Sequence, residues 1–408
     1  MAIAKGAAKQ LRLKRQPAKG TLAIPTTGGQ IVRRRTSNLL LAKETYTTED
    51  EQTSARQVTS LRHGPKTVNG SLSGNLSPGT YADYFSAILM RDFAPIAAVA
   101  GASITVAGVG PTYTITRAAG DWLADGAKIG RGVRLTAGAF NAANLNKNLL
   151  VIGATATVLT VLPMNKSAMV AEGPIAAATA TFPGSVTYVP TTGHTDVYYT
   201  GEEWFPDVPR SQVSSDLKFT AATLRLPGSG NATVDFTMLG LDQFKNPGDI
   251  AYFVAPLAET TSDTLVAASG ALYVGGTLMS VVTDATVTFD ARGAVGDAAV
   301  GTDVRPDVFL GKVAVTGSLT TYFTNGTIPD NFINEDEIAI ALALTTNKTG
   351  NAEFITLTIN RIKLTSADGD DPETGMKRTF NFQGLFNKVG GAALSTLATT
   401  VEMQDSLA

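Results

Sequence analysis

Residues 64–85 and 311–332 are one segment written twice, and any fold for this chain has to house both copies. At a constant offset of 247 they share Gly64/Gly311, Val68/Val315, Gly70/Gly317, Ser71/Ser318, Leu72/Leu319, Gly79/Gly326, Thr80/Thr327, Asp83/Asp330 and Phe85/Phe332. These are nine identities in 22 positions, where composition alone gives roughly one or two. Such a repeat marks a structural unit duplicated within the chain, and two copies can fill two neighbouring positions of a ring. Gly70, Leu72 and Phe85, with Gly317, Leu319 and Phe332, are read as its core.

Around the repeat, short Val/Ile/Thr/Leu runs are broken by Gly, Pro, Asn and Asp turns, the pattern of antiparallel all-β folds. A strand pattern runs from Ile31 to Tyr46, followed by the polar, acidic stretch Thr47–Ala55. Its counterpart one copy later is Ala291–Val304, and long loops inside compact domains are usually functional or disordered. Thr80 stands three residues ahead of Asp83, a capping-box-like start. Tyr81, Phe85, Ile88 and Leu89 then form one apolar helix face. The second copy keeps Thr327 and Asp330, but Ile338, Ile340, Leu342 and Leu344 soon alternate as in a strand, so its helix is two turns or fewer. Further on, Leu224-x-Leu226 resembles Ile362-x-Leu364, and Phe236-x-Met238-x-Gly240-Leu241 resembles Phe380-x-Phe382-x-Gly384-Leu385.

These matches predict a first module over 31–94 and 185–246 and a second over 247–391. Residues 1–30 and 392–408 are left as arms. Residues 95–184 have no counterpart and predict an inserted β-barrel of five or six strands, with Ala- and Thr-rich stretches such as Ile175–Thr181 as linkers.

Charged residues are only 17% of the chain and Gly numbers 40, a composition suited to a surface covered by other protein. Cysteine is absent, which removes disulfides, thiol nucleophiles and Cys-metal sites and fits a reducing cytoplasm. The N-terminus has no apolar run of a secretory signal, and no 18-residue apolar run exists, so no membrane partner is expected. Residues 1–35 hold nine Lys/Arg and no acid, so the other 373 residues carry −11, the total of −2 less +9. A basic arm on an acidic body binds nucleic acid or docks on an acidic neighbouring subunit. Docking is favoured here because no aromatics interleave the cations.

No constellation for catalysis emerges. His63 and His194 are the only histidines, too few for a His-rich metal site. Glu202-Glu203 and Asp370-Asp371 are adjacent carboxylates, which on a strand point to opposite faces and read as solvated or subunit-facing charges. Asp368–Glu373 lacks the spacing of a calcium loop, and Gly228-Ser229-Gly230 lacks the Lys-Ser/Thr of a phosphate loop. Tyr198, Tyr199, Trp204 and Phe205 read as core before they read as a sugar platform. Neither an enzyme nor a cofactor is expected.

Arg34-Arg35-Thr36-Ser37, the acidic loop, Arg62-His63-Gly64, Val68–Gly74 (VNGSLSG) and Ser77–Asp83 (SPGTYAD) together resemble the tail tube (major tail) proteins of long-tailed, non-contractile bacteriophages. The stretch from Gly120 (GDWLADG) to Val161 is similar to a domain inserted in that family, and Glu202–Val208 (EEWFPDV) and Ala232–Phe236 (ATVDF) look like it too. The resemblance covers roughly residues 31–400, although many members carry one module per chain. It implies a mainly β fold of two tandem β-sandwich modules, each with a flanking helix, plus the inserted barrel. It further implies stacked rings forming a hollow tube in the virion tail, built in the host cytoplasm, through which double-stranded DNA passes without specific binding.

Its partners would be other copies of itself, a tape measure protein, a tail terminator and distal tail proteins. On this reading Glu49, Asp50, Glu51, Arg56, Asp297, Asp303 and Arg305 are loop residues between rings, and Arg12, Lys14 and Arg15 dock the arm on a neighbour. Two other readings stay open: a ring-forming minor tail or connector protein, and a carbohydrate-binding adhesin.

Overall fold

The computed structural model describes residues 3–47, 52, 56–274, 277–279, 282–323, 327–369 and 375–408. The chain opens with β1 (Gln10–Arg15), β2 (Gln30–Ile31), β3 (Thr36–Thr47), β4 (Leu61–Asn75), helix α1 (Ala82–Leu89) and β5 (Ala94–Pro95). Six strands follow: β6 (Val99–Ala107), β7 (Tyr113–Arg117), β8 (Gly132–Ala137), β9 (Leu149–Ala154), β10 (Val158–Pro163) and β11 (Glu172–Thr181). Next come β12 (Ser185–Tyr188), β13 (Tyr199–Phe205), β14 (Arg210–Pro227), β15 (Thr233–Gly240) and β16 (Asp242–Lys245). The later part holds β17 (Val266–Val274), β18 (Thr277–Met279), β19 (Val282–Asp290), β20 (Ala294–Val295), β21 (Val308–Phe309) and β22 (Ala314–Tyr322). Helix α2 (Thr327–Ile333), β23 (Ile338–Thr345), β24 (Phe354–Gly369), β25 (Lys377–Gly384) and β26 (Glu402–Asp405) complete it.

One antiparallel ladder runs β3–β4–β15–β14–β19–β22–β25–β24. Its first four strands and its last four repeat one order. Beneath the first four, β14 continues into pairing with β13 and β16, and β13 pairs β1. Beneath the last four, β24 continues with β23 and β26, and β23 pairs β17. The irregularities repeat as well. The β14/β15 register shifts between Phe219 and Ala221, and the β24/β25 register between Leu364 and Ser366. The β13/β14 register shifts between Tyr199 and Gly201, and the β23/β24 register between Ile338 and Ile340. Bulges re-aim a strand, and here they let one long strand serve two sheets.

This register corrects one correspondence. Ile362 and Leu364 match Leu217 and Phe219, not Leu224 and Leu226, because two-residue alternation looks the same wherever it is cut along a strand.

Alternation places Leu39, Val68, Leu72, Phe236, Leu224, Val287, Phe289, Leu319, Phe380 and Phe382 on one face of the ladder, in a single core with the inner sheets. Gly70 and Gly317 recur for a packing reason. A Cβ on Gly70 would meet Leu39 at 2.7 Å and Met238 at 3.1 Å, and one on Gly317 would meet the Phe382 ring at 2.4 Å. Leu72, Phe85 and Leu319 are buried, whereas Phe332 is 36% exposed where its counterpart Phe85 is 1% exposed. The reason is position: α1 lies over the internal junction, whereas α2 lies at the end of the ladder.

The insert is a closed six-stranded barrel, β10–β7–β6–β11–β8–β9, around Trp122, Ile115, Leu135, Val151 and Val161. Residues 175–181 are not a linker but part of β11, with Ala178 and Ala180 buried inside the barrel. Neither terminal segment is a loose arm. In β1, Leu11 and Leu13 are buried, and β26 is buried at all four residues between β12 and β24.

Candidate functional site

The outward face of the ladder is a continuous polar surface that crosses all eight strands. Cross-strand partners carry it in rows, such as Thr36–Ser73–Asp235–Thr223–Thr288–Thr316–Gln383. Many of its groups bond to one another across strands. The Thr223 and Thr288 hydroxyls are 3.1 Å apart, and those of Thr320 and Thr379 2.9 Å. Ser71 donates to Asn38 at 2.8 Å, and Asn381 donates to Ser366 at 2.7 Å. Charge on this face is sparse. Arg225 and Asp235 pair at 3.3 Å, and Asp284, Asp290 and Asp368 stand with Lys363 and Lys377. Tight phosphate binding needs clustered cations, and this face does not cluster them.

The ladder ends in two open edges. Among the described residues, no strand pairs with the outer side of β3 or with the outer side of β24 over Ser366–Gly369. Side chains cover part of the first edge: Lys9 Nζ donates to the Ser37 carbonyl at 2.9 Å and Gln243 Nε2 to the Leu39 carbonyl at 3.0 Å. Exposed edges are commonly guarded in this way against uncontrolled pairing.

Glu49, Asp50 and Glu51 lie outside the described residues, and Arg56 is exposed. In the second loop Asp297 is exposed, but Asp303 and Arg305 turn back onto the β3–β4 hairpin. Asp303 pairs with Lys66 at 3.1 Å, and Arg305 pairs with Glu44.

The basic N-terminal segment finds its acids within its own chain. Arg12 meets Glu202 at 3.3 Å and Lys9 meets Glu203 at 2.5 Å. Lys14 binds the Ile24 carbonyl at 3.0 Å, and Arg15 bridges Asp83 and Asp92. The adjacent Glu202 and Glu203 do point to opposite faces, but neither is solvated. Glu202 is 0% exposed and accepts from Ser211, Phe253 and Tyr252, and Glu203 is 3% exposed. Burial raises the Glu203 carboxyl above its usual range, and Lys9 opposes the shift. Sequence reading missed this pairing, although the alternation of Gln10–Arg15 (QLRLKR) was a visible strand signal. His63 and His194 are both exposed, and Tyr199 lies in the core beside Tyr84 and Phe219. Among the described residues, no group of acids and histidines could hold a metal ion, and no helix is long and apolar enough to cross a membrane.

Strand β26 joins barrel and sandwich. Arg131 of the barrel donates to the buried Glu402, Gly132 N donates to Gln404 at 2.6 Å, and Lys128 donates to the Ala392 and Leu394 carbonyls at 2.6 and 2.7 Å. Asp405 accepts from Gly79 N at 2.8 Å and Leu407 N at 2.9 Å, while burial pushes its carboxyl up to about 6. A raised carboxyl contributes stability below its unfolded value of about 3.9, and this is lost as pH rises through about 6. Between pH 7 and pH 5 the unassembled chain is expected to gain about 1 kcal/mol relative to Asp405→Asn in urea denaturation.

Residues 6–384 match the model of a family described as phage tail tube protein. None of the curated proteins compared matches the chain.

Proposed function

The chain belongs to the phage tail tube protein family, and on that premise we propose that three copies close into a ring and that the rings stack into the hollow tail tube. Tail tube proteins are structural, so the chain is a component of the virion tail and not an enzyme. The modules are residues 31–94 with 185–246, and 247–391, with β1 and β26 completing their inner sheets and the barrel 95–184 decorating the exterior. The observation that carries this reading is the eight-strand ladder whose two end strands have no outer partner among the described residues. Three chains then supply about 24 strands. At ~4.8 Å between strands and a tilt near 45°, the barrel is about 50 Å across. Side chains take roughly 10 Å of that, so duplex DNA, about 20 Å wide, passes.

The polar face lines the lumen in this arrangement. Its hydroxyls and amides satisfy one another, and its sparse cations leave phosphates without a grip. The loops after β3 and β19 stack one ring on the next, through Arg56 and Asp297 and the acids Glu49, Asp50 and Glu51. On this reading the tube's partners are a tape measure protein, a tail terminator and distal tail proteins. Image reconstruction of the purified polymer tests the stoichiometry. Threefold rings with sixfold pseudosymmetry are the expected result, and six chains per ring or isolated monomers at high concentration would overturn it.

A further inference from the structure

Within one chain the first copy already meets the second, and that junction supplies a template for how one chain meets the next. At the junction Ala221, Ala222, Thr223 and Leu224 of β14 pair with Asp290, Phe289, Thr288 and Val287 of β19. The shared bulge places Ser366–Gly369 of β24 at the positions of Ala221–Leu224. On the other side, Leu39 faces Gly70 as Val287 faces Gly317, which places Ala42–Leu39 at the positions of Asp290–Val287. These two stretches are the open edges.

We propose that β24 of one chain pairs antiparallel with β3 of the next in the junction's own register: Ser366 opposite Ala42, Ala367 opposite Leu41, Asp368 opposite Leu40 and Gly369 opposite Leu39. The proposal rests on the ring reading above and adds the residues that close the ring.

Burial supports it independently. Ala222 is 0% exposed at the junction, whereas its counterpart Ala367 is exposed, though it points toward the core side. Phe85 packs on Phe289 with ring centroids 6.2 Å apart. The counterpart of Phe289 is Leu41, so the exposed Phe332, with Ile333 at 74% exposure, waits for Leu41 of the next chain. Alternation agrees, since Asp368 and Leu40 fall on the polar face and Ala367 and Leu41 on the core face. The Lys9 and Gln243 side chains on the Ser37 and Leu39 carbonyls hold acceptors that the incoming strand takes over.

A chain without cysteine makes the test clean. Asp368→Cys and Leu40→Cys correspond to Thr223 and Thr288, whose hydroxyls stand 3.1 Å apart at the junction. They fall at a non-hydrogen-bonded pair, whose close Cα separation suits a disulfide. Mild oxidation of tubes carrying both substitutions is expected to yield covalent dimers and trimers and nothing larger. Asp368→Cys with Leu41→Cys, slipped by one, points to opposite faces and is expected to stay reduced. Tubes that form but cross-link only in the slipped pair, or in neither, overturn the register while leaving the tube reading intact. Failure of the unsubstituted chain to form tubes overturns both.

Should the cysteine variants not assemble, amide exchange on unsubstituted tubes decides instead. The Leu41 and Ala367 amides are expected to gain protection on assembly. Unchanged exchange at both refutes the seam.

Discussion

Replacing Arg131 by alanine is expected to lower the stability of the chain by about 3–5 kcal/mol, the cost of leaving a buried charge without its partner. Glu402 is 3% exposed, and burial already holds its carboxyl above the usual range, opposed chiefly by Arg131 and further by Lys128 and Arg91. Without Arg131 the carboxylate must protonate or drag β26 out of the sheet. Because a raised carboxyl is most costly when ionised, the deficit is largest at neutral pH and shrinks on acidification. Urea denaturation followed across pH 4.5 to 7.5 checks both size and sign. Replacing Arg131 and Glu402 together by methionine is expected to recover most of the loss, since an apolar pair of similar volume carries no desolvation cost. A double variant as unstable as Arg131→Ala would show that the strand depends on more than this pair.

The second large effect concerns DNA. Ser71→Lys with Thr316→Lys puts one exposed cation on the polar face in each half of the ladder. Surface substitutions of this kind cost within about 0.5 kcal/mol of stability, so tubes are expected to form normally. In threefold rings they place about six cations per ring, a duplex resting on one wall meets those of successive rings, and six phosphate contacts change affinity by about 10³ between 50 and 200 mM salt. Variant tubes are expected to retain short duplex DNA at the lower salt and release it at the higher, in co-sedimentation. Parent tubes are expected to retain it at neither. Equal behaviour of the two would remove the polar face from the lumen.

Several elements are legible in the residues themselves. The 64–85 and 311–332 repeat announced β4 with α1 and β22 with α2, and the short second helix was visible in the early return of alternation at Ile338. The insert announced itself as a run without a counterpart, and it closes as a barrel. The termini were misjudged because six residues at one end and four at the other are too short for periodicity to outweigh the Lys, Arg and Gly around them. The acids Glu202 and Glu203 looked solvated for a related reason: their cations lie some 190 residues away, and nothing local reports them.

What the residues alone carried was the class of fold and its duplication, because side-chain alternation and glycine placement are local and recur wherever the same strand recurs. What three-dimensional packing added was register, and with it the identity of the edges. A strand's alternation has a period of two, so it cannot say which of several equivalent offsets pairs with a neighbour. The bulges at Thr220 and Thr365 can, because each shifts the pairing at one fixed residue of its hairpin and so marks the same place in both copies.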